Sequence, residues 1–164
     1  MTTTISGSTG INKIQDGTIV NADINASAAI AGIKLSGSFL GMQVFTSSGT
    51  YTKTSGTNSI LVYCTGGGAS AGNGSSVGAS GGGGAGGTSM KHITGGVTSI
   101  TVTCGAGGAA ITTGSNAGNV GGTSSFGTHC TATGGSGGWG YTNGAAGGGG
   151  GEGGSGASGD LNFN

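Results

Sequence analysis

The sequence contains no proline, and only 5% of its residues are charged. Aromatic residues are as scarce, also at 5%. Each shortage excludes something. Disordered chains combine low hydrophobicity with high charge, and this one lacks the charge. A collagen-like triple helix needs abundant proline beside its glycine. Lys plus Arg number four, and Asp plus Glu number four. That balance leaves no basic patch for nucleic acid or anionic lipid. No run of about 20 apolar residues is present, so no membrane-spanning helix is expected. The opening MTTTISGSTG lacks the basic start and apolar stretch of a signal peptide. Work outside a cell would then require release by lysis or within a particle.

Cysteine is sparse as well: Cys64, Cys104 and Cys130, an odd number with no C-x-x-C spacing. A secreted disulfide framework normally has an even count. Two of the three end apolar, strand-like runs, ILVYC and ITVTC. They read as buried small apolar residues of a chain made in a reducing compartment, in preference to metal ligands or a disulfide.

What the chain does have is glycine, 45 of 164 residues. An uncharged chain this rich in glycine needs its backbone groups paired internally to stay in solution, which favours folding. Composition separates a first region, 1–40, which holds half the charges in Lys13, Asp16, Asp23 and Lys34. Residues 41–65 read as β-structure, and 66–159 are the glycine-rich body. In the first region Asp16-Gly17 signals a turn. Ala26, Ala29, Ile30 and Ile33 recur at helical spacing, which predicts a short helix near 25–35. Its apolar face is too small to be stable alone. Three copies side by side around an axis would supply the missing partner.

QVFT and TYTKT flank Ser47-Ser48-Gly49, which reads as a hairpin turn. NSILVYC is a third strand, rich in β-branched and aromatic residues. SMKHI (89–93) and VTSITVTC (97–104), joined around Gly95-Gly96, and SSFGTHCTAT (124–133) complete the strand candidates.

The glycines recur every third residue. Gly66, Gly72, Gly78, Gly81, Gly84 and Gly87 share one register, with Ala69 and Ser75 in its gaps. Gly135, Gly138, Gly144, Gly147, Gly150, Gly153, Gly156 and Gly159 share another, broken only by Tyr141. Between them, Gly105, Gly108 and Gly114 fall in one register, and Gly118, Gly121 and Gly127 in a second. Three residues per turn is the repeat of the polyproline II helix, which has no internal hydrogen bonds. A face of pure glycine lets such helices approach and bond backbone to backbone, satisfying their donors and acceptors. The expected fold is mostly β plus irregular. Short strands are followed by a packed polyglycine II sandwich, with a short N-terminal stem helix and a trimeric assembly. The expected domains are a stem or attachment segment at 1–40 and a β-strand and glycine-rich tip at 41–164.

The order VFTSSGTYTKTSGTNSILVYCTGGG, VTSITVTCGAGGAA, GGTSSFGTHCTATGGSGG, GDLNFN resembles the glycine-rich C-terminal domain of bacteriophage tail fibres and tail-fibre adhesins. The likeness runs from about residue 43 to 164, and it rests on the order and spacing of the pieces. DGTIVNADINASAAIAGIKLSG is similar to the short stem repeats of phage fibre proteins, which usually trimerise. The resemblance implies a tip that binds a bacterial surface receptor, with specificity in the loops between glycine runs. It implies a virion location, extracellular after host lysis. It also implies partners among other tail-fibre or baseplate proteins through residues 1–40.

Residues for catalysis are thinly spread. Asp16 and Asp23 lie in the stem, and Glu152 and Asp160 stand alone, so no carboxylate pair suits glycosidic hydrolysis. His92 stands alone, and His129-Cys130 has no further ligand or nucleophile partner nearby in sequence. GGGGAGG lacks the Lys-Ser/Thr ending of a phosphate loop. No enzyme activity, metal or cofactor is expected.

Binding has better candidates. GGWGYTNG places Trp139, Tyr141 and Asn143 at alternate positions, which share a face if the segment is extended. Aromatic faces stack on sugar rings, and an amide bonds hydroxyls in both directions. The same aromatics would equally serve to cover the glycine sandwich or to contact another subunit. SAGNGSSV (70–77) and ITTGSNAGN (111–119) add Asn73, Asn116 and Asn119, residue types that turns also need. Two other functions fit the composition. One is a structural fibre subunit without a receptor. The other is a polyproline II type ice-binding protein, hinted at by Thr101-x-Thr103 and Thr131-x-Thr133.

Overall fold

The computed structural model describes residues 39–74, 78–140 and 148–164. The stem helix expected near 25–35 lies outside them, as do Gly144 and Gly147.

Eight strands form: β1 (Gly49–Thr52), β2 (Ser59–Thr65), β3 (Thr88–Thr94), β4 (Ser99–Thr103), β5 (Ser124–Phe126), β6 (Cys130–Ala132), β7 (Gly156–Ala157) and β8 (Leu161–Phe163). They make two antiparallel sheets. One runs β1-β4-β5-β6-β7 and the other β2-β3-β8. No helix occurs among the described residues. Alternation explains β2: Ile60, Val62 and Cys64 turn inward, while Leu61 and Tyr63 stay exposed. The core lies between the sheets. Tyr51, Val102, Phe126, Cys130 and Ala132 come from the first and Cys64 from the second. Tyr51 and Phe126 meet edge to face, with ring centroids 5.4 Å apart.

Three strand expectations change. Ser47-Ser48-Gly49 is not a hairpin turn, because β1 pairs with β4 and not with the residues before it. The Cys104 N–H donates to Ser48 Oγ at 3.0 Å, which docks that segment against the end of β4. SMKHI and VTSITVTC follow one another in the chain but enter different sheets. Residues 124–133 are not one strand. They form the hairpin β5–β6, turned at Gly127 with φ of 51°, a left-handed conformation that favours glycine.

Between strand pairs the chain makes three excursions in extended form. From β2 it runs out as run 1 (66–74) and back as run 2 (78–87) into β3. From β4 it runs out as run 3 (104–110) and back as run 4 (117–123) into β5. From β6 it runs out as run 5 (133–140) and back as run 6 (148–155) into β7. Each excursion is therefore a long loop closing an antiparallel strand pair.

The runs are joined by lateral backbone hydrogen bonds that repeat every three residues. The N–H groups of Gly66, Ala69 and Gly72 donate to the carbonyls of Gly87, Gly84 and Gly81 in run 2. Gly67, Ser70 and Asn73 donate to Gly122, Asn119 and Asn116, on run 4 and just before it. Gly81, Gly84 and Gly87 donate in turn to Trp139, Ser136 and Thr133 of run 5. Thr133, Ser136 and Trp139 donate onward to Ser155, Glu152 and Gly149 of run 6. Run 3 is tied by Gly108 donating to Gly68 and by Ala106 accepting from Gly122. Tracing these bonds gives two layers of three, with runs 3, 1 and 2 in one and runs 4, 5 and 6 in the other.

The glycine register follows from this contact. Gly66, Gly72, Gly81, Gly84 and Gly87 are buried, as are Gly135 and Gly138. The register expected to continue through Gly150 and Gly153 does not. Run 6 instead turns Gly148, Gly151 and Gly154 toward run 2, and Gly150 and Gly153 are exposed. The two middle registers belong to two separate runs, 3 and 4, while Gly114 and Gly127 lie in turns.

Burial pushes the Cys64 thiol up from 9.0 to about 11, and the neighbouring Cys130 thiol adds to the effect. A thiol whose value is raised by folding stabilises the fold below its unfolded value, and that contribution is lost as pH rises through the folded one. Stability is therefore expected to fall between pH 9 and about 11, by about 3 kcal/mol at most. Denaturant midpoints across that range check it, and Cys64→Ala should flatten the fall.

Candidate functional site

Because every excursion leaves from the sheets and returns to them, the unit Phe39–Asn164 has two unlike ends. The sheets form one. At the other, runs 1 and 5 end, runs 2 and 6 begin, and run 3 turns into run 4 through 111–116. The four described site candidates lie at or near this second end.

Asn73 lies next to the end of run 1 and is half-buried. Its N–H donates to the Asn116 carbonyl at 2.9 Å, which ties the first loop to the second. The Asn116 side chain donates through Nδ2 to the Thr113 carbonyl at 3.0 Å, closing a turn around Gly114, where φ is 71°. Asn119 lies one turn back from the tip. Its Nδ2 donates to the Ala109 carbonyl at 2.8 Å and its N–H to Ser70 Oγ at 2.8 Å. Both asparagine amides thus have backbone partners, Asn116 within the second loop and Asn119 on run 3 beside it, which is the turn role the sequence left open. Their Oδ1 atoms remain the groups with acceptor capacity.

Trp139 is 67% exposed. Its backbone is fixed on two sides, since its N–H donates to Gly149 and its carbonyl accepts from Gly81. The neighbouring Gly140 packs against the Asn116 backbone. The indole is therefore a large apolar group on a rigid support, next to the second loop. Val120, at 69% exposure, lies on the adjacent run 4. The composition of GSNAGNV gave no sign that this valine would be left outside.

Of the three residues expected to share a face in GGWGYTNG, the structure describes Trp139. Run 5 repeats every three residues, and it exposes Thr133, Ser136 and Trp139 together. Tyr141 and Asn143 themselves lie outside the described residues.

The other chemistry-bearing groups do not converge here. The Cys130 thiol is fully buried and donates to the Ser89 carbonyl at 3.3 Å. His129 packs beside Phe126, with ring centroids 6.4 Å apart. Adjacent in sequence, the two side chains have separate partners. Asp160 is at the sheet end. Its carboxylate accepts from the His92 N–H at 2.9 Å and pairs with Lys91 Nζ at 3.0 Å. The backbone bond first, and then Lys91, hold its carboxyl below the usual range. Among the described residues no group of three or more His, Cys, Asp or Glu is placed to hold a metal ion. No helix among them is long and apolar enough to cross a membrane.

A family model described as a glycine-rich domain matches residues 45–162. This span takes in all eight strands except the last residue of β8, and all six runs. No curated protein matches the chain.

Proposed function

Since the chain belongs to the glycine-rich domain family, we propose that it is a phage tail-fibre tip protein that binds a bacterial surface receptor without catalysis. In this reading the six runs are polyglycine II helices packed as a sandwich. The bundle is a rigid stalk of backbone, and the loops at its free end are the recognition surface. The observation that carries the proposal is that Asn73, the turn 111–116 and Trp139 are tied together at the end of the runs away from the sheets. Binding residues belong on loops held by a rigid scaffold.

Trp139 is the anchor of this surface. An exposed indole face stacks on a sugar ring or on apolar receptor side chains. Tyr141, Asn143, Asn73, Asn116 and Asn119 supply the surrounding polar contacts, with hydroxyl and amide groups that bond in both directions. The receptor is a glycan or an outer-membrane protein. Residues 1–40 attach the tip to the fibre or baseplate and join three copies. The protein is carried on the virion and is extracellular after lysis.

The test is adsorption of the labelled, purified chain to a panel of bacterial strains. Binding to a subset of strains is expected. Trp139→Ala should weaken it at least about tenfold, or about 1.4 kcal/mol. Its unfolding midpoint should not move, because substitutions at exposed positions usually stay within about 0.5 kcal/mol. Absence of binding to every strain, or equal binding by the variant, would remove the proposal. Sedimentation equilibrium addresses the trimer separately: three times the monomer mass is expected, and a monomer would refute that part alone.

A further inference from the structure

Three cysteines distant in sequence meet between the sheets. Cys64 and Cys130 are both in the buried core, and Cys104 packs against it. Ser89 fixes the spacing of the first two. Cys64 and Ser89 face each other in the β2–β3 register, where opposed α-carbons are about 4.5–5.5 Å apart. Cys130 reaches across from β6 and gives its thiol hydrogen to the Ser89 carbonyl at 3.3 Å. The Cys130 thiol is near enough to that of Cys64 to help raise it. Cys104 is turned elsewhere, with its thiol donating to the Phe45 carbonyl at 3.4 Å.

We propose that Cys64 and Cys130 are a latent dithiol, a modification site for low-molecular-weight disulfides, whose oxidation staples the two sheets together. One cysteine thiolate attacks a sulfur of the external disulfide, breaks its S–S bond and releases the first small thiolate. The second cysteine thiolate then attacks the protein-bound sulfur and releases the other. Two electrons pass from the protein sulfurs to the external disulfide, and the two thiol protons end on the released thiols. Thiolate is the attacking form in such exchange. Cys130 is wholly buried and Cys64 is 8% exposed, and burial holds the Cys64 thiol protonated at neutral pH. The dithiol therefore stays reduced in the closed fold and reacts when β2 and β6 part transiently. Cys104 is left as a free thiol.

The experiment treats the reduced, full-length chain with oxidised glutathione and follows its mass. Loss of two hydrogens without a retained glutathione is expected, faster at mildly alkaline pH and in sub-denaturing urea. The chain has no arginine, so trypsin cuts after lysine only. Cys64 then lies in the peptide 54–91 and Cys130 in 92–164. These two peptides should emerge joined, and reduction should separate them. Cys104→Ser should keep the link and Cys64→Ser should abolish it. A link lost in Cys104→Ser, a stable glutathione adduct in place of a link, or no reaction in urea that opens the fold would each overturn the proposal. Peptide 92–164 also holds Cys104, so a further cut after Phe126 with chymotrypsin separates it from Cys130, and that map of the unsubstituted chain decides even if a variant fails to fold.

Discussion

Gly84→Ala is expected to prevent folding or to destabilise the domain by more than about 4 kcal/mol, the range reserved for severe overpacking. Gly82→Ala, two residues away, is expected to be tolerated. A β-carbon on Gly84 would overlap the Glu152 carbonyl and crowd Gly151 behind it. Both atoms are backbone and cannot swing aside. Relief would require run 6 to move, and run 6 is bonded to runs 2 and 5 at every third residue. A β-carbon on Gly82 meets nothing within 4 Å. There the substitution acts through the unfolded chain, which alanine stiffens, and a small gain of about 0.4–1 kcal/mol is expected where the backbone suits it. Thermal or urea unfolding of the two variants is the measurement. Equal behaviour would mean that the runs do not pack as described.

Phe126→Ala is expected to cost about 3–5 kcal/mol, the usual loss for a buried aromatic. That is a large part of a domain's typical margin of about 5–15 kcal/mol. The ring is 6% exposed and meets Tyr51 edge to face. The core around it is small: among the described residues the buried apolar set is Tyr51, Cys64, Val102, Phe126, Cys130 and Ala132, with partly buried side chains such as Phe45 and Ile100 packed against it. No larger core elsewhere in the described residues compensates. Trp139→Ala removes a bigger aromatic yet should leave the midpoint in place, since that indole is outside. Urea midpoints for the two variants give the comparison directly.

The sequence made β2 readable through its run of β-branched and aromatic residues, and β4 through Ile100 and Val102 alternating with Ser and Thr. The three-residue glycine repeat was readable for a steric reason: wherever a run faces a neighbour's carbonyl, a side chain has no room. The same reason explains where the reading failed. Glycine occupies every position from 147 to 151, so no side chain marks which glycines face inward, and the slip to Gly148, Gly151 and Gly154 left no trace. Gly127 matched the repeat by number while serving a hairpin turn. β8 escaped notice because Leu161–Phe163 is three residues long and exposed throughout. For the candidate site, residue type singled out Trp139. Its neighbours depend on lateral contacts between excursions, such as Asn73 with Asn116, which no local pattern encodes.

The parallel lie of the six runs has a mechanical consequence. A pull between the sheets and the loop end acts along all six chains at once. Each loop is held by two of them, one leading out and one leading back. The lateral bonds are then loaded in shear, and sliding one run past another must break a whole row together. A pull across the bundle would instead open a row one bond at a time. The bundle of runs is built to resist tension along its length far better than peeling from its side.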